Sequence, residues 1–213
     1  MTAITLNLTK QNETVQPIML NLNKSETFRV SLSWDEGTDV DLHAILCFNS
    51  GAGAKVTQAE DILSAYNVER VIKGTKFGTL KLNSDGTFSI RNGAIIHSKD
   101  ALDGNTSDDE DEFIVINPTL LSVPTGSVIE IPILAMIHPQ NAGMKFSGVK
   151  NPVVKISDSN GQNLMTASLS SQFGEFVGVQ MGSVIIEENG SSYFAPVGVG
   201  FNGDFNSVLS HFC

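Results

Sequence analysis

Apolar residues recur along this chain in short runs, many alternating with polar ones, and turn-forming dipeptides separate the runs. Alternation with period two marks a strand with one buried face, and β-branched or aromatic runs of four to eight residues mark buried strands. On that basis strands are predicted at 4–8, 28–34, 40–48, 79–82, 87–90, 113–116, 128–137, 153–157, 164–168, 176–187 and 193–200. Asp85-Gly86, Asn160-Gly161 and Asn189-Gly190 fall between such runs, with Asn92-Gly93 a further instance. Asn and Gly tolerate the positive φ of type I′ turns, so these pairs predict hairpins. Pro132 has no N–H to donate and predicts a sheet edge or a bulge in its strand. Helical pattern is sparse. Residues 57–66 are predicted to form two turns, with Thr57 as N-cap and Glu60 completing a capping box. Asp204 predicts the cap of a C-terminal helix carrying Phe205, Val208, Leu209 and Phe212 on one face. No internal repeat or low-complexity linker divides the chain, so residues 1–213 are expected to form one domain. The predicted fold is all-β: a two-sheet β-sandwich with a few short helices, one near the C-terminus. Trp34 is expected in the core. Phe173, Phe176, Phe194, Phe201, Phe205 and Phe212 are expected to fill the inner face of the sandwich and the helix docked on it.

Composition narrows the function. Thirteen basic residues stand against twenty-three acidic ones, a formal charge of −10. No dense run of Lys and Arg offers phosphates a surface, which argues against nucleic acid and anionic membrane as partners. Cys47 and Cys213 fit no metal or redox spacing, and Cys47, inside an apolar stretch, is expected to be a buried free thiol. The N-terminus lacks the basic and apolar regions of a signal peptide. The most apolar segment, 128–137, is too short for a membrane span and carries Glu130 and Pro132. A cytoplasmic location is expected.

The candidate chemistry lies in two groups of carboxylates. If residues 39–43 are extended, Asp39, Asp41 and His43 share one face, and Val40 and Leu42 the other. Two carboxylates about 6.7 Å apart repel by roughly 2.5 kcal/mol at an effective dielectric of 20, unless solvent screens them or a cation reverses the sign. The second group spans 100–112, where seven of the chain's acids fall with no base past Asp100, and it leads directly into the strand pattern at 113–116. An ordered strand after five consecutive acids is easier to form when something neutralises them. Calcium takes six to eight oxygen ligands, commonly from acidic loops. Zinc prefers His and Cys, which are scarce here, and the spacing is not that of an EF-hand.

These residues resemble a known family, the TerD-type tellurium-resistance and stress-response domain. Trp34-Asp35 followed by Asp39-Val-Asp41-Leu-His43 resembles its Asp-x-Asp-Leu-Asp strand motif, and His97-Ser-Lys-Asp100 with the 107–113 run resembles its acidic loop. Residues 136–139, 144–149, 174–190 and 196–201 resemble later segments of the family, in the same order. The resemblance implies a β-sandwich with calcium held by Asp39, Asp41 and Asp100 and by the run Asp108, Asp109, Glu110 and Asp111. Within that run Asp109, Glu110 and Asp111 fit best. Asp35, His43 and Asn67 are further candidates, Asn67 through an amide oxygen. His43 replaces the third acid of the strand motif, which implies a weaker site or one site where relatives have two. Residues 68–91 read as an insertion, which together with the other departures marks a divergent member, phage-encoded in one reading.

No nucleophile elbow, P-loop or dinucleotide fingerprint is present, so no enzymatic role is expected. The functional expectation is a non-catalytic, calcium-binding stress-response domain that contacts protein partners or self-assembles. Two alternatives stand beside it. One is a structural subunit of a large assembly such as a phage virion. The other is a metal-dependent hydrolase using Asp39, Asp41, His43 and the acidic loop, which would expose an open metal position. His97 and His138 are expected to be satisfied core groups and His211 a surface or packing residue.

Overall fold

The structure, a computed structural model, describes the backbone of Ile4–Thr5, and residues 27–105 and 110–213. Two sheets pack face to face, with strands numbered along the chain. The first runs in the order β1 (Ile4–Thr5), β13 (Asn163–Ser168), β12 (Val153–Ser157), β2 (Phe28–Ser33), β10 (Glu112–Ile116), β9 (Ile95–His97), β8 (Phe88–Ile90). All its neighbours are antiparallel except β1 and β13. The second runs β15 (Ser192–Phe201), β14 (Gly178–Ile186), β11 (Val128–Ile137), β3 (Val40–Ile45), β5 (Ile62–Leu63), and β4 (Cys47–Asn49) also pairs with β11. A separate ribbon pairs β6 (Arg70–Ile72) with β7 (Thr75–Phe77), inside the segment read as an insertion. The two-sheet sandwich expected from the patterning is therefore present.

The alternation sets which side chains enter the core. Strand β2 buries Phe28, Val30 and Leu32 and turns Arg29, Ser31 and Ser33 outward. They meet Val40, Leu42 and Ala44 of β3 and Ile129, Ile131 and Ile133 of β11 in one continuous cluster. The second sheet is covered on its outer face too. There Ile45, Cys47 and Leu134 pack against Val208 and Phe212 of the C-terminal segment, which holds helix α2 (Phe205–Leu209); α1 is Leu169–Gln172. Asp204 caps α2 as predicted, its Oδ1 accepting the N–H of Ser207 at 2.8 Å. Phe173 and Phe194 fill the inner core as expected, whereas Phe205 and Phe212 cover the outer face. Cys47 is a buried free thiol, and burial pushes its pKa up to about 12.

Several predictions of local structure are corrected. Residues 57–66 form two 3-10 turns, Ala59–Asp61 and Ala65–Asn67, on either side of β5. Pairing of Leu63 with Ala44 and the bidentate ion pair of buried Asp61 with Arg91 outweigh the helical pattern. The 79–82 run makes only a single bridge, Leu80 to Val68. Strands β5, β6, β7 and β9 are too short for periodicity to mark, and 6–8 lies outside the described residues. In the hairpins at 160–161 and 189–190 only the glycines take positive φ, +75° and +82°, so neither turn is type I′. Pro132 meets the second of its two expectations: it sits inside the sheet, where the neighbour of β11 changes from β3 to β4, and a bulge follows between Ile133 and Leu134.

The bulge in β14 between Gln180 and Gly182 brings Gly182 against β15. A Cβ there would lie 2.4 Å from the Ala195 carbonyl oxygen and 2.5 Å from the Phe194 ring. Gly182→Ala is expected to destabilise the fold by about 1–3 kcal/mol, because a backbone oxygen cannot swing away as a flexible side chain would. Thermal unfolding checks this, and an unchanged Tm contradicts it.

Candidate metal centre

Strand β3 pairs with β5 only at Ala44 and Ile45, so among the described residues its first residues have no strand neighbour on that edge. Side chains of the first sheet supply what a neighbour would. The N–H of Leu42 donates to Oε2 of Glu112 at 2.8 Å, and its carbonyl lies 3.0 Å from Nε2 of His97. Oε1 of Glu112 accepts the N–H of Ala101 at 3.1 Å. Ser98 exchanges two bonds with the backbone of Phe113, so the segment carrying Asp100 is tied to β10. Farther along, Gly104 passes directly against Trp34, where a Cβ would lie 2.3 Å from the Trp34 carbonyl oxygen. Oδ1 of Asp103 accepts the N–H of Gly37 at 2.7 Å, and the Asp111 carboxylate accepts the N–H groups of Trp34 and Asn105 at 2.9 and 3.0 Å. These acceptors staple the acidic loop to the 34–38 turn.

The result gathers three carboxylates. Asp41, Asp100 and Glu112 each place an oxygen within 4.8 Å of the others, with Asp41 1% and Glu112 0% exposed. Asp39, 2% exposed, immediately precedes β3, accepts from Nε2 of Gln140 at 2.6 Å and lies 3.7 Å from Nδ1 of His138. The hydroxyl of Tyr66 donates to Oδ2 of Asp41 at 2.6 Å. Among the described residues no lysine or arginine pairs with any of the four acids.

Carboxylates at such separations repel by roughly 3.5 kcal/mol per pair at an effective dielectric of 20. Burial pushes Asp41 up to about 8, against the Tyr66 hydrogen bond and with help from the Asp39 and Asp100 charges. Glu112 is raised well above the usual range by burial and then by Asp41, despite its two backbone donors. Burial raises Asp39 as well, with His138 opposing. Oδ1 of Asp39 and Oδ1 of Asp100 are buried with no hydrogen-bond partner. Unpaired buried carboxylate oxygens are costly and uncommon, and a cation satisfies them. Calcium–oxygen distances of about 2.3–2.6 Å let oxygens up to about 5 Å apart share one ion, so the cluster fits a hard divalent cation.

Of the predicted ligands, Asp39, Asp41 and Asp100 thus come together. Among the described residues of the 108–112 run, the acid that joins them is Glu112, which the motif comparison passed over. Its signal was in the alternation: Glu112 is in phase with Ile114 and Ile116, which face the core. Glu110 instead makes a bidentate pair with Arg29, which lies over the Phe113 ring, and Asp111 caps backbone donors. Asp108 and Asp109 lie outside the described residues. Asp35 accepts from Asn151 at 2.7 Å, apart from the cluster. Asn67 donates to the carbonyls of Ala59 and Ile62, shaping the turn that carries Tyr66. His43 is buried between Tyr66 and Phe205, ring centroids 5.0 and 4.5 Å away, with both nitrogens unpartnered, and burial drives its pKa down to about 3. His97 is a satisfied core group stacked on Phe88, as expected, whereas His138 is half-buried beside Asp39 and edge-on to Tyr66.

The sequence matches the TerD domain over residues 3–212, nearly the whole chain. The chain belongs to the TerD domain family. Among solved structures, that of a protein of unknown function superposes with a TM-score of 0.65 at 16% identity, covering 88% of this chain and 96% of its own. A homologue of telluride resistance protein (TerD) from Streptomyces coelicolor superposes with a TM-score of 0.58 at 17% identity, covering 87% and 95%. At such identities the likeness establishes the fold. No curated protein matches the sequence. Among the described residues no helix is long and apolar enough to cross a membrane.

In this TerD domain the raised carboxylates give a signed pH dependence. An acid whose folded pKa exceeds its unfolded value of about 3.9 holds its proton longer when folded, so stability falls as pH rises through the window. For Asp41 that window runs from about 4 to about 8. Buried His43 and His97, with lowered pKa values, act oppositely below about 6.5. In chelator, Tm is therefore expected to fall between about pH 6.5 and 8, and Asp41→Asn is expected to flatten that fall. A wild-type Tm that rises over the interval contradicts the assignment.

Proposed function

We propose that this TerD domain is a non-catalytic binding module in which Asp41, Asp100 and Glu112, with Asp39 beside them, hold a calcium ion. The observation that carries this reading is the buried carboxylate cluster with orphaned oxygens and no basic partner among the described residues. All-oxygen donors favour calcium, and the burial of Asp41 and Glu112 favours a structural ion over a hydrolytic one, which needs an open coordination position. His43, His97 and His138 would hold no ion in this reading. The ion would join β3 of one sheet to β10 of the other and to the segment carrying Asp100. Membership of the family supports a role in tellurium resistance or stress response; in this reading the domain acts in the cytoplasm through contacts with other proteins.

Thermal melting at pH 7.5 with calcium and then excess chelator tests the reading. Calcium at about 100 times its Kd is expected to stabilise the fold by about 2.7 kcal/mol, roughly 5–10 °C in Tm for a chain of this size. Asp41→Asn and Glu112→Gln are each expected to lower calcium affinity at least about tenfold. An unchanged Tm on adding calcium sinks the proposal.

A further inference from the structure

Ribbon β6–β7 belongs to neither main sheet, and every residue of its two strands is exposed. Its register pairs Arg70 with Phe77, Val71 with Lys76 and Ile72 with Thr75. Cross-strand partners share a face, so Arg70, Ile72, Thr75 and Phe77 lie on one side and Val71 and Lys76 on the other. Of the eight large apolar residues exposed among the described ones, four fall between 71 and 82: Val71 at 71%, Ile72 at 49%, Phe77 at 44% and Leu82 at 57%. Among the described residues neither face of this two-stranded ribbon is covered, which leaves it marginal alone, and such a concentration of apolar surface marks a contact.

Charge indicates what covers it. Residues 69–81 hold four bases, Arg70, Lys73, Lys76 and Lys81, against one acid, Glu69, which Lys76 pairs at 2.7 Å. Elsewhere the chain has nine bases and twenty-two acids. Bases scattered too thinly to register as a run are thus concentrated on one protruding element of an acidic body.

We propose that ribbon β6–β7 docks on the acidic surface of a second copy of this chain. Arg, aromatic and aliphatic side chains on one face are the composition of protein interface centres, and complementary charge sets the partner. Basic side chains along both strands oppose edge-to-edge pairing of two ribbons. The contact is therefore head-to-tail, and such contacts close into rings or extend as filaments. An anionic lipid surface would attract the ribbon and repel the rest of the molecule. The inference rests on the protein-contact part of the function proposed above and not on its cation.

Sedimentation velocity over a concentration series, in low salt with chelator present, tests it. Wild type is expected to exceed the monomer mass increasingly with concentration and to return toward monomer as salt is added. Ile72→Ser/Phe77→Ser is expected to stay monomeric with an unchanged Tm. Lys73→Glu/Lys81→Glu is expected to do the same with the apolar face intact. Both variants keep the calcium-induced rise in Tm, which separates this test from that of the cation. Zero-length carbodiimide coupling of labelled and unlabelled wild type is expected to join ribbon lysines of one copy to carboxylates of another. A wild type that stays monomeric throughout overturns the proposal, as does an oligomer that both variants retain. Binding of monomeric protein to phosphatidylserine vesicles through the ribbon also overturns it, assigning the ribbon to lipid.

Discussion

The structure turns on one side chain, Glu112. It occupies the core-facing phase of β10, where the alternation of the strand calls for an apolar residue, and it is fully buried. From there it accepts the N–H of Leu42 in the second sheet and the N–H of Ala101 in the acidic segment. A backbone donor without a strand partner and a buried carboxylate, each costly alone, satisfy one another. The bonds also fix where the two sheets meet and bring Asp100 to Asp41. The electrostatic problem of the site thus arises from the solution to a backbone problem of the fold.

Once Glu112 is in place, neighbouring groups bias the cluster toward accepting positive charge. Its own oxygens are occupied by backbone donors, and Asp41 has the Tyr66 hydroxyl, yet oxygens of Asp39 and Asp100 remain without partners. Tyr66, Phe205 and His43 close over the outer face of β3 and remove the water that would screen these charges. Covering by α2 and by the turn Ala65–Asn67 therefore belongs to the site as much as to the fold. His43 packs as an aromatic ring against Phe205 of that helix.

The ribbon shows the opposite arrangement, exposed apolar groups among bases on an element that no described residue covers. The acids of the described residues divide likewise, a few gathered inside and others exposed.

Much was legible in the residue order because it depended on short-range rules. Alternation and short apolar runs located β2, β10, β12 and β13, Asp204 marked the start of α2, and the Asp39–Asp41 spacing marked two carboxylates that are buried together at the start of β3. What failed in the sequence reading failed where a distant partner decides. Arg91 and the edge of β3 turned 57–66 away from helix. Which acid of the 110–112 stretch reaches the cluster was set by packing between the sheets. Glu110 met Arg29 outside, Asp111 met the backbone of Trp34, and Glu112 pointed inward. Sequence alone thus determined that acids would crowd beside a β-sandwich strand. Tertiary structure chose the members, because only packing of one sheet on another sets the distances on which electrostatic repulsion and coordination depend.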